Sequence, residues 1–283
     1  MRVSLRSPDS KALWAALTQF IKPIALGRRN AGRLAMTQLN LQSYPVWDTA
    51  TRWFHWINLA CVVALVAIGT AILFEKELGV TDSGNILLKT THVWFGYVFA
   101  INLAWRLVWS FIGNRHARWS AILPFQIGYG AAFKTYLREL IRGNVRPYLG
   151  HNPIARASVS ILLVLLIMQA ITGLVLAGTD IYYPPFGHWI ASWIAAPGVD
   201  PSTIAPYDKT GIDPASWEAM RSFRSVFLTI HYWNFYALLV AILIHIGGVV
   251  VTELREGGGI VSAMFSGRKV FDREPRDDVG ATT

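Results

Sequence analysis

The sequence predicts an all-α integral membrane protein, a bundle of four helices that cross the bilayer. Three observations carry this prediction. The 283 residues are 53% hydrophobic and only 15% charged, with a mean hydropathy of +0.37, a balance unlike that of a soluble domain. Four stretches, 53–74, 88–111, 157–179 and 226–251, are each long and apolar enough to span hydrocarbon as a helix. Lys and Arg gather in alternate connections between them, as orientation in a membrane requires.

Residues 1–43 form a basic N-terminal extension, 44–271 the membrane domain and 272–283 a C-terminal tail. The extension has no apolar run fit for a signal peptide and is expected to be disordered. Residues 11–25 suit a short amphipathic helix on an anionic membrane face. Met36 opens a segment that reads as a normal N-terminus, so Met1 and Met36 are both candidate starts.

The first span opens with Trp53, His55 and Trp56, aromatic residues typical of the membrane interface. Arg52 just before it is a candidate partner for a propionate or an anchor for the helix end. A short acidic connection leads to the second span. Its charge-free core is 90–105, with His92 near its start and Arg106 able to reach the interface.

The connection 113–153 is rich in Arg and Lys. Within it, 128–142 has the pattern of an amphipathic helix lying on the membrane, and 148–153 is turn chemistry. The third span has no histidine. The connection 180–225 is long and aromatic, which favours an ordered surface. Asp213-Pro214 there reads as a cap and first turn of a short helix reaching about Arg224. After the fourth span, 252–283 is a mixed-charge tail with a glycine turn at 257–259.

The fourth span holds 26 residues without a formal charge, yet it carries His231 and His245. Buried polar rings in lipid need a partner or a function. Fourteen residues fall about 40° short of four turns and rise roughly 21 Å, so both rings leave nearly one face near opposite ends of the span. One helix can thus offer one axial ligand to each of two stacked haems. Two histidines bonded to neighbouring helices would satisfy the same pattern.

Charge decides the orientation. Nineteen Lys and Arg lie in 1–52, 113–153 and 252–283, against five in 75–91 and 180–225. Both termini are therefore expected in the cytoplasm, with the chain in the inner membrane if the source is a Gram-negative bacterium. His55 then lies at the same depth as His245, near the cytoplasm, and His92 at the depth of His231, near the outer face. His116, His151 and His188 fall in connections, where a solvated role is the default. Lone Cys61 excludes a disulfide framework, a four-cysteine cluster and a C-x-x-C-H attachment site within the chain, which favours ligation and packing over thioether bonds for any haem. The expected cofactors are two non-covalent b haems with the iron-ligand pairs His55–His245 and His92–His231. The net charge of +9 is explained by topology, so no nucleic-acid partner is expected.

At these residues the chain resembles the bacterial cytochrome b561 superfamily, most closely the dihaem b-type subunit of nickel-iron hydrogenases and its relatives. TRWFHW at 51–56, GHNPIARAS at 150–158, GTDIYYPPFG at 178–187 and VTELREGGGIVSAMFSGRKV at 251–270 carry the resemblance. It implies the ligands His55, His92, His231 and His245, and electron exchange between a periplasmic redox partner and the quinone pool.

The expected function is the electron-transfer subunit of a quinone-linked respiratory oxidoreductase, with no catalytic residues of its own. Its partners would be membrane lipid, quinone and a periplasmic hydrogenase, molybdoenzyme or c-type cytochrome. A stand-alone superoxide:quinone oxidoreductase and a haem-free anchor or transporter are the competing readings. Quinone is expected beside the cytoplasmic haem, where Asn152 can donate to a carbonyl and His151 can relay a proton. A plain helix cap would explain Asn152-Pro153 as well.

Overall fold

The computed structural model describes residues 41–277. The helix expected at 11–25, the alternative start at Met36 and nearly all of the 1–43 extension lie outside the described residues, as does 278–283.

Among the described residues, four helices are long and apolar enough to cross a membrane. They are α1 (Thr49–Leu73), α2 (Asp82–Ile112), α5 (Pro153–Asp180) and α7 (Pro214–Glu256). Each begins at a side-chain cap that satisfies an otherwise orphaned backbone donor. Asp48 accepts from Thr51 N, Thr81 from Gly84 N, Asn152 from Ala155 N and Asp213 from Ser216 N. Pro153 and Pro214 occupy first-turn positions, where no hydrogen bond is lost.

Close packing joins α1 to α2, α2 to α5 and α5 to α7. The core between them is apolar, built on Phe99, Leu103, Leu163, Leu166 and Leu238. The outward faces are apolar too: Ile101 is 72% exposed and Leu243 70%. Such a surface belongs against lipid.

At one end of the bundle the short helix α3 (Trp119–Ile122) and the amphipathic α4 (Tyr129–Arg142) pack on α5. Helix α8 (Ile260–Ser266) follows the glycine turn, in which Gly257, Gly258 and Gly259 all have positive φ. A Cβ on Gly258 would meet the Phe271 ring at 2.2 Å, so glycine is required there. Strands β1 (Gln42–Pro45) and β2 (Arg268–Phe271) pair antiparallel. We call this the sheet end.

At the opposite, cap end, helix α6 (Gly187–Ile194) and the turns after it fold over a small core of Ile190, Ile194, Ile204 and Met220. A bridge from Ala195 to Ile212 closes this cap. The sequence GTDIYYPPFG is the hinge into it. A Cβ on Gly187 would lie 1.9 Å from the Tyr182 carbonyl oxygen, and one on Gly178 would lie 2.8 Å from Phe186 Cβ.

Four expectations need correction. The short helix before residue 226 and the fourth span are one continuous helix of 43 residues. Nothing between them breaks the backbone ladder, and polar Ser222, Arg224 and Ser225 merely mark where the helix leaves the apolar zone. Residues 252–277 are a packed element rather than a tail: Pro275 is fully buried and Arg276 pairs with Glu139 at 2.7 Å. Arg106 does not extend to water; it is buried, donating to Ser110 Oγ at 2.7 Å and the Ala117 carbonyl at 3.1 Å. His116 is buried as well, so only His188 of the three connection histidines is exposed.

Candidate functional site

The histidines of the spans meet in two pairs. His92 on α2 and His231 on α7 face each other across a cavity lined by all four spanning helices, with ring centroids 6.5 Å apart. Two imidazoles on opposite sides of one metal ion, each bonded at about 2 Å, have centroids roughly 6 Å apart. His55 on α1 and His245 on α7 are neighbours toward the sheet end and form the second pair. Among the described residues no three His, Cys, Asp or Glu side chains converge on a point. The histidines therefore suit a group that brings its own equatorial ligands.

The residues present fit such a planar group. Gly69 and Gly173 back the two rings of the cap-end pair: a Cβ would come within 3.2 Å of His92 Cε1 and 3.3 Å of His231 Cε1. Gly96 in the cavity wall and Gly247 on α7 open onto free space. The Nδ1 atoms of His55 and His92 are buried without a hydrogen-bond partner. Unpaired buried ring nitrogens are costly and mark a place where a ligand or water is wanted.

Helix α5 carries no histidine but orients one. Thr172 Oγ1 lies 2.9 Å from His231 Nδ1 and 2.8 Å from the Met168 carbonyl. The hydroxyl has one hydrogen, which the carbonyl takes, so the imidazole donates from Nδ1. Nε2 then keeps its lone pair, and the Gln169 amide nitrogen donates to it at 3.0 Å. Asn234 Nδ2 in turn donates to Gln169 Oε1 at 2.6 Å and to the Leu165 carbonyl. Donation from Nδ1 is how a metal-ligating histidine is usually held, whereas Gln169 occupies the Nε2 lone pair that a metal would take. The sequence reading missed Gln169, Thr172 and Asn234; polar residues at i and i+3 in an otherwise apolar span were the available signal.

Arg52 sits at the sheet end, donating to the Phe265 carbonyl and, at 3.1 Å, to Thr49 Oγ1. It ties α1 to α8, and its Nε remains buried and unpartnered. Arg156 holds the α3 region through the Ser120 and Leu123 carbonyls. Arg221 is an exposed surface residue beside Glu218, whereas Arg224 turns toward the cavity and pairs with Asp180 at 3.0 Å.

Asn152 is buried, caps α5 and donates to Tyr136 Oη at 2.7 Å and Glu256 Oε1 at 3.0 Å. Its polar atoms are thus engaged inside the protein. His151 stacks on Trp47 with centroids 4.9 Å apart, and its Nδ1 is buried without a hydrogen-bond partner. Burial, and then the nearby charges of Lys269, Arg106, His116 and Arg156, push its pKa down to about 3. The ring is therefore neutral at pH 7, which corrects the expectation that it relays protons near neutrality. It can still offer a hydrogen bond.

Apolar spanning helices with inward histidines paired across a cavity are the frame of a membrane-bound b-type cytochrome. The chain belongs to the prokaryotic cytochrome b561 family, whose model matches residues 46–267. It is a haem-binding electron-transport protein of the bacterial inner membrane, crossing it several times. Curated relatives carry the name probable Ni/Fe-hydrogenase B-type cytochrome subunit. The one from Rhizobium leguminosarum bv. viciae is 28% identical over 250 residues, covering 82% of this chain and 92% of that protein. The one from Rhodobacter capsulatus is 26% identical, covering 80% and 81%. The Ni/Fe-hydrogenase 1 subunit from Escherichia coli K12 is 28% identical over 160 residues, covering 52% and 66%. No solved structure matches the chain.

Proposed function

We propose that this protein is the dihaem membrane subunit of a hydrogenase-type complex, carrying electrons between a periplasmic redox partner and the quinone pool. The single observation that carries the reading is the presence of two histidine pairs at two depths, each drawing one member from α7. Two b haems would supply one-electron carriers, one at each level.

The chain's own residues do the rest. His92 and His231 hold the carrier of the cap end, with Thr172 fixing the tautomer of His231. His55 and His245 hold that of the sheet end. The charge bias supports a cytoplasmic sheet end and a periplasmic cap end. The names of the relatives favour a hydrogenase over a molybdoenzyme or c-type cytochrome as partner. The same names, and a cap with Trp189 67% exposed, favour a partner-dependent subunit over a stand-alone superoxide oxidoreductase.

For quinone, the reading keeps the sheet end and His151. Asn152 supports the site by holding the α5 terminus rather than by touching the ligand. His151 donates or accepts through its free ring nitrogen, and protons come from another group.

The test is a reduced-minus-oxidised spectrum of the purified chain with pyridine haemochrome quantitation. Two b haems per chain are expected; one or none would defeat the reading. Co-purification of a hydrogenase with the tagged chain tests the partner.

A further inference from the structure

The cavity between His92 and His231 is apolar almost throughout, and its charged lining comes from three side chains, Lys89, Asp180 and Arg224. Asp180 bridges the two cations, at 2.9 Å from Lys89 Nζ and 3.0 Å from Arg224 Nη2. Lys89 also donates to Tyr207 Oη at 2.6 Å. The cluster holds two positive charges against one negative charge, and it keeps unused donors. Arg224 Nε is buried with no partner. The Lys89 ammonium has three hydrogens and two named acceptors.

The register points the cluster at the histidines. Lys89 precedes His92 by three residues on α2, and Arg224 precedes His231 by seven on α7. Both spacings return to the same helix face, about one turn and about two turns nearer the helix start. The cations therefore stand at the cap-end mouth of the cavity, above the two rings.

We propose that Lys89 and Arg224 are the carboxylate-binding end of this cavity and hold the propionates of the haem ligated by His92 and His231, with Asp180 as a counter-charge that tunes it. This rests on the dihaem reading. A haem is apolar except for its two carboxylates, so a cavity that buries it needs cations at one end. A merely structural role is the competing account: the ion pairs would cross-tie α2, α5 and α7 and do nothing else.

The two accounts differ in the sign of an observable. Positive charge near the iron favours adding an electron, and negative charge opposes it. Redox titrations of the full-length purified protein should therefore show K89Q and R224Q lowering the midpoint potential of one b component, and D180N raising it. That component should be the one lost in His92→Ala, with the other unmoved. R224K, which keeps the charge, should leave the potential near wild type even if R224Q is poorly produced. The double variant K89Q/R224Q should lose this haem selectively on detergent washing.

Shifts of the same sign in K89Q and D180N, no shift in any variant, or shifts in the component lost in His55→Ala would each overturn the assignment. The dihaem reading fails separately and earlier. A wild-type chain without two b haems overturns both, whereas two haems with unresponsive potentials overturn the propionate assignment alone.

Discussion

Thr172 Oγ1 and His231 Nδ1 are 2.9 Å apart, so a span without a histidine sets the tautomer of the histidine opposite it. The expected consequence is electronic as well as structural. In T172V the imidazole loses its acceptor, becomes a weaker donor through Nε2 and is freer to rotate. Affinity for the cap-end haem should fall roughly 10- to 100-fold, in line with other second-layer partners of metal ligands. The potential of the retained fraction should rise, and T172S should restore both. Redox titration and haem content check this, and a wild-type potential in T172V would remove Thr172 from the account.

The histidine pairing predicts which substitutions act alike. H55A and H245A should abolish one spectral component, and H92A and H231A the other. Gly69→Leu should mimic H92A, because the added side chain meets the His92 ring already at its Cβ. Spectra in which the His55 and His231 variants lose the same component would break the pairing.

Asn152 predicts a stability effect. N152L removes the α5 cap, a loss of about 0.5–2 kcal/mol. It also removes the amide's donations to Tyr136 Oη and Glu256 Oε1, which keep their bond to each other, for about 1 kcal/mol more. Thermal unfolding in detergent should drop clearly in N152L and hardly at all in H151L. Quinone-linked haem oxidation should show the reverse order, slowed in H151L with both haems bound. Unchanged quinone kinetics in H151L would leave Trp47 and His151 as packing alone.

His151 also predicts a pH dependence. Its pKa falls from 6.5 to about 3 on folding, through burial and the cations Lys269, Arg106, His116 and Arg156. Between these values the unfolded chain binds the extra proton and the folded one does not. Stability therefore rises with pH across that window and is lost as pH falls from 6.5 toward 3. H151L should flatten this part of the stability profile. A profile as steep as wild type would show that other groups cause it.

The exposed ring of Trp189 predicts docking. W189S should leave both haem components intact and slow electron exchange with the proposed periplasmic partner. Loss of haem in this variant would make the cap a cover and not a docking face.

Much of the frame was legible because lipid imposes strict rules. A helix must be long and free of charge to cross, so 53–74, 88–111, 157–179 and 226–251 stood out, and the structure places helices over all four. The amphipathic 128–142 and the glycine turn were readable from period and composition in the same way. Where tertiary contact decides, the sequence was mute. Residues 42–45 and 268–271 are two four-residue strands far apart in the chain, and nothing local announces their pairing. His116 and Arg106 looked solvent-directed because burial depends on what the chain folds over them. Gln169 and Asn234 resembled stray polar residues until their 2.6 Å contact joined them to His231.

Helix α7 runs unbroken from Pro214 to Glu256, and both His231 and His245 stand on it. The separation of the two levels, roughly 21 Å along the axis, is thus a property of one covalent ladder and not of an interface between parts. A partner seated on the cap can push the whole rod, but it cannot bring one level closer to the other. Any relay that uses both has a path length that is built in. Its speed can be adjusted only through the driving force at each end, which makes the polar and charged neighbours of the rings its throttle.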